Sequence, residues 1–268
     1  MQLSLIIPAY NEEERLPGTL VVYEEALCQR FGDDFEIIVV ANGCIDNTVG
    51  VATKAAAISS QIRVVNIEEP VGKGGAVLEG FRRAYGDSVL FADADAATAP
   101  ESLLELADRL DRYDVVIGSR RMSGSIISKQ QPRLRRMVGW SFAKTARVVF
   151  GMPFRDTQCG AKGFRRDVAR RLARVVRETR WTFDLDLLLS AIRLGYSVYE
   201  HPVVWADHAG SRLRYGSTTF EVLRAFWTMK LRQMEPLVEL PELPELPELP
   251  AVAAGLETKP SMAPNEAA

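Results

Sequence analysis

The chain has 268 residues, 47% of them apolar, and a formal net charge of −2. That is enough apolar material for one large α/β domain with a real core, or for two small ones, and the near-neutral balance excludes a global electrostatic case for nucleic acid as a partner. Three scattered cysteines, Cys28, Cys44 and Cys159, fit small apolar fillers in a reduced, cytoplasmic environment, and none has zinc-site spacing.

The chain opens on the strand-like LSLIIPA, with no leader pattern, and no window approaches the roughly 18 apolar residues of a membrane span. Five apolar runs, Leu3–Ala9, Glu36–Ala41, Ile62–Ile67, Ser88–Ala92 and Asp114–Gly118, are continuous rather than alternating, as in parallel strands buried on both faces. Helical patterns separate them over Glu12–Phe31, Asp46–Ser60, Gly74–Tyr85 and Pro100–Arg112. This alternation predicts βαβ units in an open, mostly parallel sheet flanked by helices. Later come amphipathic helices at Pro132–Phe150, Arg180–Leu194 and Thr218–Met234, and a strand at Ser197–Ala206. The domain is expected to span 1–234. Beyond it, Glu239–Pro250 reads ELPELPELPELP, whose proline period forbids a regular α-helix and suits polyproline II, and Ala251–Ala268 reads as disordered.

Asp93 and Asp95 follow a core strand with one alanine between them. Read as strand residues, they share a face and aim past the sheet edge, where ligands of open α/β sheets bind. Two unpaired carboxylates there repel each other, and a divalent cation relieves the conflict. All-oxygen ligands favour Mg²⁺ or Mn²⁺ bridging to a substrate diphosphate. Asp95 as a helix cap is a poorer reading, because the next helix starts near Thr98 or Ala99 with Pro100 in its first turn. Other candidates converge on the same edge. Pro8 and Tyr10 leave the first strand, with Tyr10 suited to a nucleobase. Asn11 reads as an N-cap, with Glu12, Glu13 and Glu14 favouring the helix dipole. Asn42 follows the second strand, and its amide suits a base edge. Lys73, within Gly72-Lys73-Gly74-Gly75 after the third strand, is placed to face a nucleotide. That stretch is neither a P-loop nor a full dinucleotide fingerprint.

PAYNEE, NGCIDNT, GKGGA, DAD and Gly118-Ser119-Arg120 together resemble family 2 glycosyltransferases of the GT-A fold, a Rossmann-like α/β architecture. Arg155–Phe164 (RDTQCGAKGF) and Arg180–Asp186 (RWTFDLD) resemble the dolichyl-phosphate β-glucosyltransferase branch, and the match runs from about Leu3 to Arg232. The resemblance implies a nucleotide-sugar donor, inverting transfer and a divalent metal. It places Pro8, Tyr10 and Glu12 at the nucleoside, Asn42 at the base, Asp93 and Asp95 at the metal and diphosphate, and Arg120 at the acceptor phosphate. Lys73 is a further candidate on the donor, and Arg133, Gln158 and Trp181 are further candidates at the acceptor. Ala41-Asn42-Gly43-Cys44 departs from the family's usual Asp-Asp-Gly-Ser. Ala97 stands where the mannosyl branch often has Gln, which favours glucose.

Nine cations and no acid fall between Val115 and Arg155: Arg120, Arg121, Lys129, Arg133, Arg135, Arg136, Lys144, Arg147 and Arg155. The block suits an acceptor phosphate or an anionic lipid surface, and the interleaved Trp140 and Phe142 suit a helix lying on a membrane. A core-facing stripe would look the same. The expected activity is transfer of a hexose, glucose from UDP-glucose, to a polyprenyl phosphate on the inner face of a membrane. A phosphate acceptor needs no general base. A soluble hydroxyl acceptor would need one, with Asp184 or Asp186 the candidates and only one of them facing the site. GDP-mannose as donor, and a nucleotide-sugar-binding module without turnover, are the other readings. His201 and His208 read as structural or surface residues.

Overall fold

Continuous Val, Ile and Leu runs must be covered on both faces, and the fold does this by alternating strand and helix. A computed structural model describes residues 1–129, 133–180, 182–207, 218–233 and 256–258. The first half follows the expected order: β1 (Leu3–Ala9), α1 (Leu16–Phe31), β2 (Phe35–Asn42), α2 (Thr48–Ile58), β3 (Ile62–Ile67), α3 (Gly72–Arg83), β4 (Ser88–Phe91), α4 (Pro100–Arg109) and β5 (Val115–Ser119). The second half adds β6 (Ile126–Lys129), α5 (Arg133–Phe150), β7 (Lys162–Arg165), α6 (Arg166–Val175), α7 (Phe183–Arg193), β8 (Val198–Pro202), β9 (Val204–Ala206), α8 (Thr218–Gln233) and β10 (Leu256–Thr258).

The main sheet runs β10-β3-β2-β1-β4-β7-β5-β8, and β6 pairs with β9 in a small second sheet. Neighbours in the main sheet are parallel except at β7, which is antiparallel to both β4 and β5. Residues of α3, α5, α6, α7 and α8 form the core on one face, and those of α1, α2 and α4 form it on the other. From β1 the chain winds one way through β2 and β3, then crosses to β4 on the other side of β1. The crevice beyond the C-terminal ends of β1 and β4 is therefore the switch point where ligands of such sheets bind.

Several expectations are corrected. Asp93 and Asp95 do not share a strand face, because β4 ends at Phe91 and Ala96 turns the chain with φ of 51°. Asn11 is not an N-cap: α1 begins at Leu16 with Pro17 in its first turn, and Asn11 sits in a left-handed turn with φ of 56°. The strand expected over Ser197–Ala206 is two strands in different sheets, divided after Pro202, which has no N–H to extend a ladder. Of the residues beyond 234, Leu256–Thr258 is described, and it pairs in parallel with Val64–Asn66 along the β3 edge. The ELP repeat lies outside the described residues.

The opposite, N-terminal end of the sheet carries a buried polar network. The Glu36 carboxylate accepts from Ser4 Oγ at 2.6 Å, the Tyr85 amide at 2.8 Å and Arg63 Nη1 at 2.5 Å. Ser4 Oγ in turn accepts from the Gly86 amide at 2.8 Å. Glu36 is 1% exposed, so its removal would strand several buried donors. Glu36→Ala is expected to cost on the order of 3 kcal/mol in urea unfolding. Activity per folded molecule should stay unchanged, because this network lies at the sheet end away from the crevice. An unaltered unfolding midpoint would contradict this account.

Candidate active site

Three loops meet at the crevice. The chain leaving β1 is tied to the chain leaving β2: Asn11 Oδ1 accepts from the Ile45 amide at 2.8 Å, Thr48 Oγ1 from the Glu12 amide at 2.7 Å, and Glu13 from the Asn47 amide at 2.8 Å. This zipper holds Tyr10, 47% exposed, at the mouth of β1. Pro8 lies within β1, paired in register with Val40. Asn42, buried at the end of β2, accepts from the Val71 amide at 2.7 Å and so fixes the approach to α3.

The start of α3 is pressed against the 179–183 region. Gly72 has φ of 79° and passes against the Thr179 carbonyl, while Phe183 occupies the space a side chain at Gly74 would take. The tight start aims Lys73 at the crevice, where Nζ lies 2.6 Å from Asp93 Oδ1 and 5.8 Å from the Phe91 ring centroid. Burial alone would lower the Lys73 ammonium, but the carboxylates of Asp93 and Asp184 outweigh it, and its pKa is raised. Asp95 accepts from the Ala97 amide at 3.1 Å and faces Arg15 Nη1 at 3.7 Å. Arg15 also grips Glu12 through Nε at 2.7 Å and Nη2 at 2.6 Å. Glu12 thus orients Arg15 as well as lining the crevice.

On the other flank, Arg120 follows β5. Its Nε and Nη2 bond Asp156 at 2.7 and 2.9 Å, its amide donates to the same carboxylate at 3.0 Å, and its guanidinium lies 5.4 Å over Trp205. Burial raises the Asp156 pKa, but Arg120 more than reverses this and holds it at about 2. Gln158, two residues on, is half-buried, and its Nε2 has no partner among the described residues.

Asp184 and Asp186 point different ways. Asp184 accepts from Lys162 Nζ at 2.5 Å, and that fully buried lysine also holds the Cys159 carbonyl at 2.7 Å and lies 5.3 Å from the Phe91 ring centroid. Asp184 lies close enough to Lys73 for its charge to help raise that ammonium's pKa. Asp186, 1% exposed, accepts from the Arg177 and Glu178 amides at 3.0 Å each and pairs with Arg232 of α8. The Arg133 side chain, Trp181 and His208 lie outside the described residues. His201 pairs with Glu105 at 3.0 Å, a structural contact.

Sequence reasoning named Tyr10, Lys73, Asp93, Asp95 and Arg120, and the structure brings all five to one end of the sheet. It missed Arg15, Asp156 and Lys162 as partners. Their signal was charge balance: a carboxylate pair and a buried arginine each need an opposite charge close by.

The chain is similar to known proteins in sequence and in fold. The glycosyl transferase family 2 model matches residues 4–173. Dolichyl-phosphate beta-glucosyltransferase of Drosophila melanogaster is 37% identical over 80% of this chain and 69% of that protein, and its Homo sapiens counterpart is 35% identical over 79% and 69%. Glycosyltransferase AglD of Haloferax volcanii is 32% identical over 87% of this chain, which spans only 38% of that protein's length. Glucosyl-3-phosphoglycerate synthase of Mycobacterium tuberculosis, solved with Mn²⁺ and UDP-glucose, superposes with a TM-score of 0.62 at 20% identity, covering 87% of this chain and 78% of that one. The superposition establishes a shared GT-A fold. From the match over most of its sheet, and from relatives above 30% identity along most of its length, the chain belongs to glycosyl transferase family 2.

Proposed function

We propose that the chain transfers glucose from UDP-glucose to the phosphate of a polyprenyl lipid, with inversion at the anomeric carbon. The observation that carries this reading is the fate of the two carboxylates a hydroxyl acceptor would need. Asp184 is engaged by the buried Lys162, and Asp186 by Arg232 and two backbone amides. A hydroxyl must lose its proton to a reachable base, whereas a phosphate monoester, with a second pKa of about 6, is already anionic. The phosphate oxygen attacks the anomeric carbon as the bond from that carbon to the diphosphate breaks, and the nucleoside diphosphate leaves with the electron pair. The names of the Drosophila and human relatives support this donor and acceptor class.

Residues 1–118 supply the donor side and 119–234 the acceptor side. Tyr10 stacks on the base, and Asn42 offers it the amide NH₂ that Val71 leaves free. Lys73 and Arg15 face the diphosphate. Arg120, its fork fixed by Asp156, presents its remaining N–H groups to the acceptor phosphate. Asp93 and Asp95 offer oxygen donors only, which fits Mg²⁺ or Mn²⁺. Among the described residues no group of three His, Cys, Asp or Glu forms a complete protein cage, so diphosphate oxygens and water would complete the shell. Bound there, such an ion would offset charge building on the leaving diphosphate. The neighbour solved with Mn²⁺ and UDP-glucose supports the choice.

Contact with a membrane surface fits α5 and α8. Phe142 and Phe150 pack on Phe226 at 5.5 and 5.2 Å between ring centroids, so the two helices lie together with Ala143, Ala146, Ala225 and Met229 turned inward. Their outer stripes expose Met137, Trp140, Val148, Trp227 and Leu231 beside Lys144, Arg147, Arg224 and Lys230. Exposed tryptophans rimmed by cations suit an anionic interface. Among the described residues no helix is long and apolar enough to cross a membrane.

Two experiments test the proposal. With labelled UDP-glucose, Mg²⁺ and polyprenyl phosphate in detergent, lipid-linked glucose should form, and chelation should abolish it. Asp95→Ala should lower kcat/KM by roughly 100-fold or more. Transfer from GDP-mannose alone would overturn the donor, and donor hydrolysis without a lipid product would overturn the acceptor. In vesicle sedimentation, the protein should bind anionic better than neutral liposomes, and Trp140→Ser with Trp227→Ser should weaken binding at least roughly tenfold. Equal binding by the double variant would remove the proposed face.

A further inference from the structure

Gly160 carries no unusual backbone angle, yet the space its side chain would take is already filled. A Cβ built there would lie 1.9 Å from Asp93 Oδ2, 2.5 Å from Asp93 Cγ and 3.0 Å from Oδ1. No heavy-atom contact that short survives between non-bonded groups, so any side chain at 160 would have to move the carboxylate. Asp93 is thereby fixed from two directions: Oδ1 is held by Lys73 at 2.6 Å, and Oδ2 rests against the bare Cα of Gly160.

The main chain bearing Gly160 is anchored on both sides. Upstream, Glu200 accepts from the Arg155 amide at 3.0 Å and the Asp156 amide at 2.8 Å, and Asp156 grips Arg120. Downstream, the Ala161 carbonyl accepts from the Gly118 amide at 2.9 Å, and Lys162 enters β7 opposite Phe91. Between them, buried Lys162 holds the Cys159 carbonyl at 2.7 Å. With the backbone so restrained and the Asp93 side chain 38% exposed, a new methyl at 160 would displace the carboxylate into solvent rather than push back the loop.

We infer that Gly160 is a positioning residue for Asp93: the absent side chain admits the carboxylate to the one direction in which it faces both Lys73 and the crevice, and the 156–162 segment thereby couples the acceptor arginine to the donor carboxylate. The inference rests on the reading of Asp93 as a ligand of the divalent ion and diphosphate. It assigns the glycine of the Asp156–Gly160 stretch a steric role, distinct from the turn-forming role of Gly72.

The test is Mn²⁺ binding in the presence of UDP, followed by electron paramagnetic resonance or calorimetry on the full chain without turnover, for wild type, Asp93→Ala, Gly160→Ala and the double variant. Gly160→Ala is expected to weaken Mn²⁺ binding roughly 10- to 100-fold, as loss of a supporting group around a metal ligand does. It should do so with little change in thermal midpoint. In the Asp93→Ala background the same substitution should add nothing, because its effect runs through that carboxylate. Wild-type Mn²⁺ affinity in Gly160→Ala, or equal additional weakening in both backgrounds, would overturn the inference. Unchanged Mn²⁺ affinity in Asp93→Ala would instead overturn the metal reading on which it rests.

Discussion

The crevice is organised by one constraint: carboxylates gathered at the end of a buried sheet must each meet an opposite charge. Asp93 meets Lys73, Asp95 meets Arg15, Asp156 meets Arg120 and Asp184 meets Lys162. The two pairs farthest from solvent are the ones that could least be broken. Lys162 is fully buried and Asp156 is 1% exposed, and breaking either pair would leave a buried charge uncompensated. The two outer pairs are more exposed, with Asp93 and Lys73 both more than a third exposed at the side chain. Buried charge balance therefore lies beneath the crevice, and solvent-exposed charge balance lines it.

On the proposed reading, that gradient suits a site for anionic groups. Lys73 and Arg15 neutralise the outer carboxylates when nothing is bound, and they are the groups a diphosphate would meet on entry. The inner pairs lie deeper: Lys162 packs beside Phe91, and Asp156 holds Arg120, the group proposed to meet the acceptor phosphate. Preorganised charges of this kind would favour the proposed transition state, in which negative charge moves from acceptor phosphate to leaving diphosphate.

Much of this was legible in the sequence where a single physical rule dominated. β1 and β3 match the expected bounds to the residue, because each carries a dense set of Val, Ile and Leu that must be buried, broken only by Ser4 in β1 and by the partly buried Arg63 and Asn66 in β3. β7 was missed because Lys162-Gly163-Phe164-Arg165 has no such run; its lysine is buried only because Asp184, 22 residues later, neutralises it. α6 was overlooked although Val168, Ala169, Leu172 and Ala173 carry a helical spacing. Asp93 and Asp95 were placed at the right edge for an incomplete reason. Their convergence comes from a turn after β4 and two separate cations, not from strand alternation. The steric demand on Gly160 could not be read at all, since it depends on a contact between residues 67 positions apart.

The central claim is that the acceptor supplies its own anion and the protein supplies no base. Its most direct test is the rate of glucosyl transfer to polyprenyl phosphate compared with the matched polyprenol, at neutral pH and saturating donor. The account predicts turnover with the phosphate and none with the alcohol. Comparable turnover with the alcohol, lost in Asp184→Asn, would show that a base operates here and would contradict it.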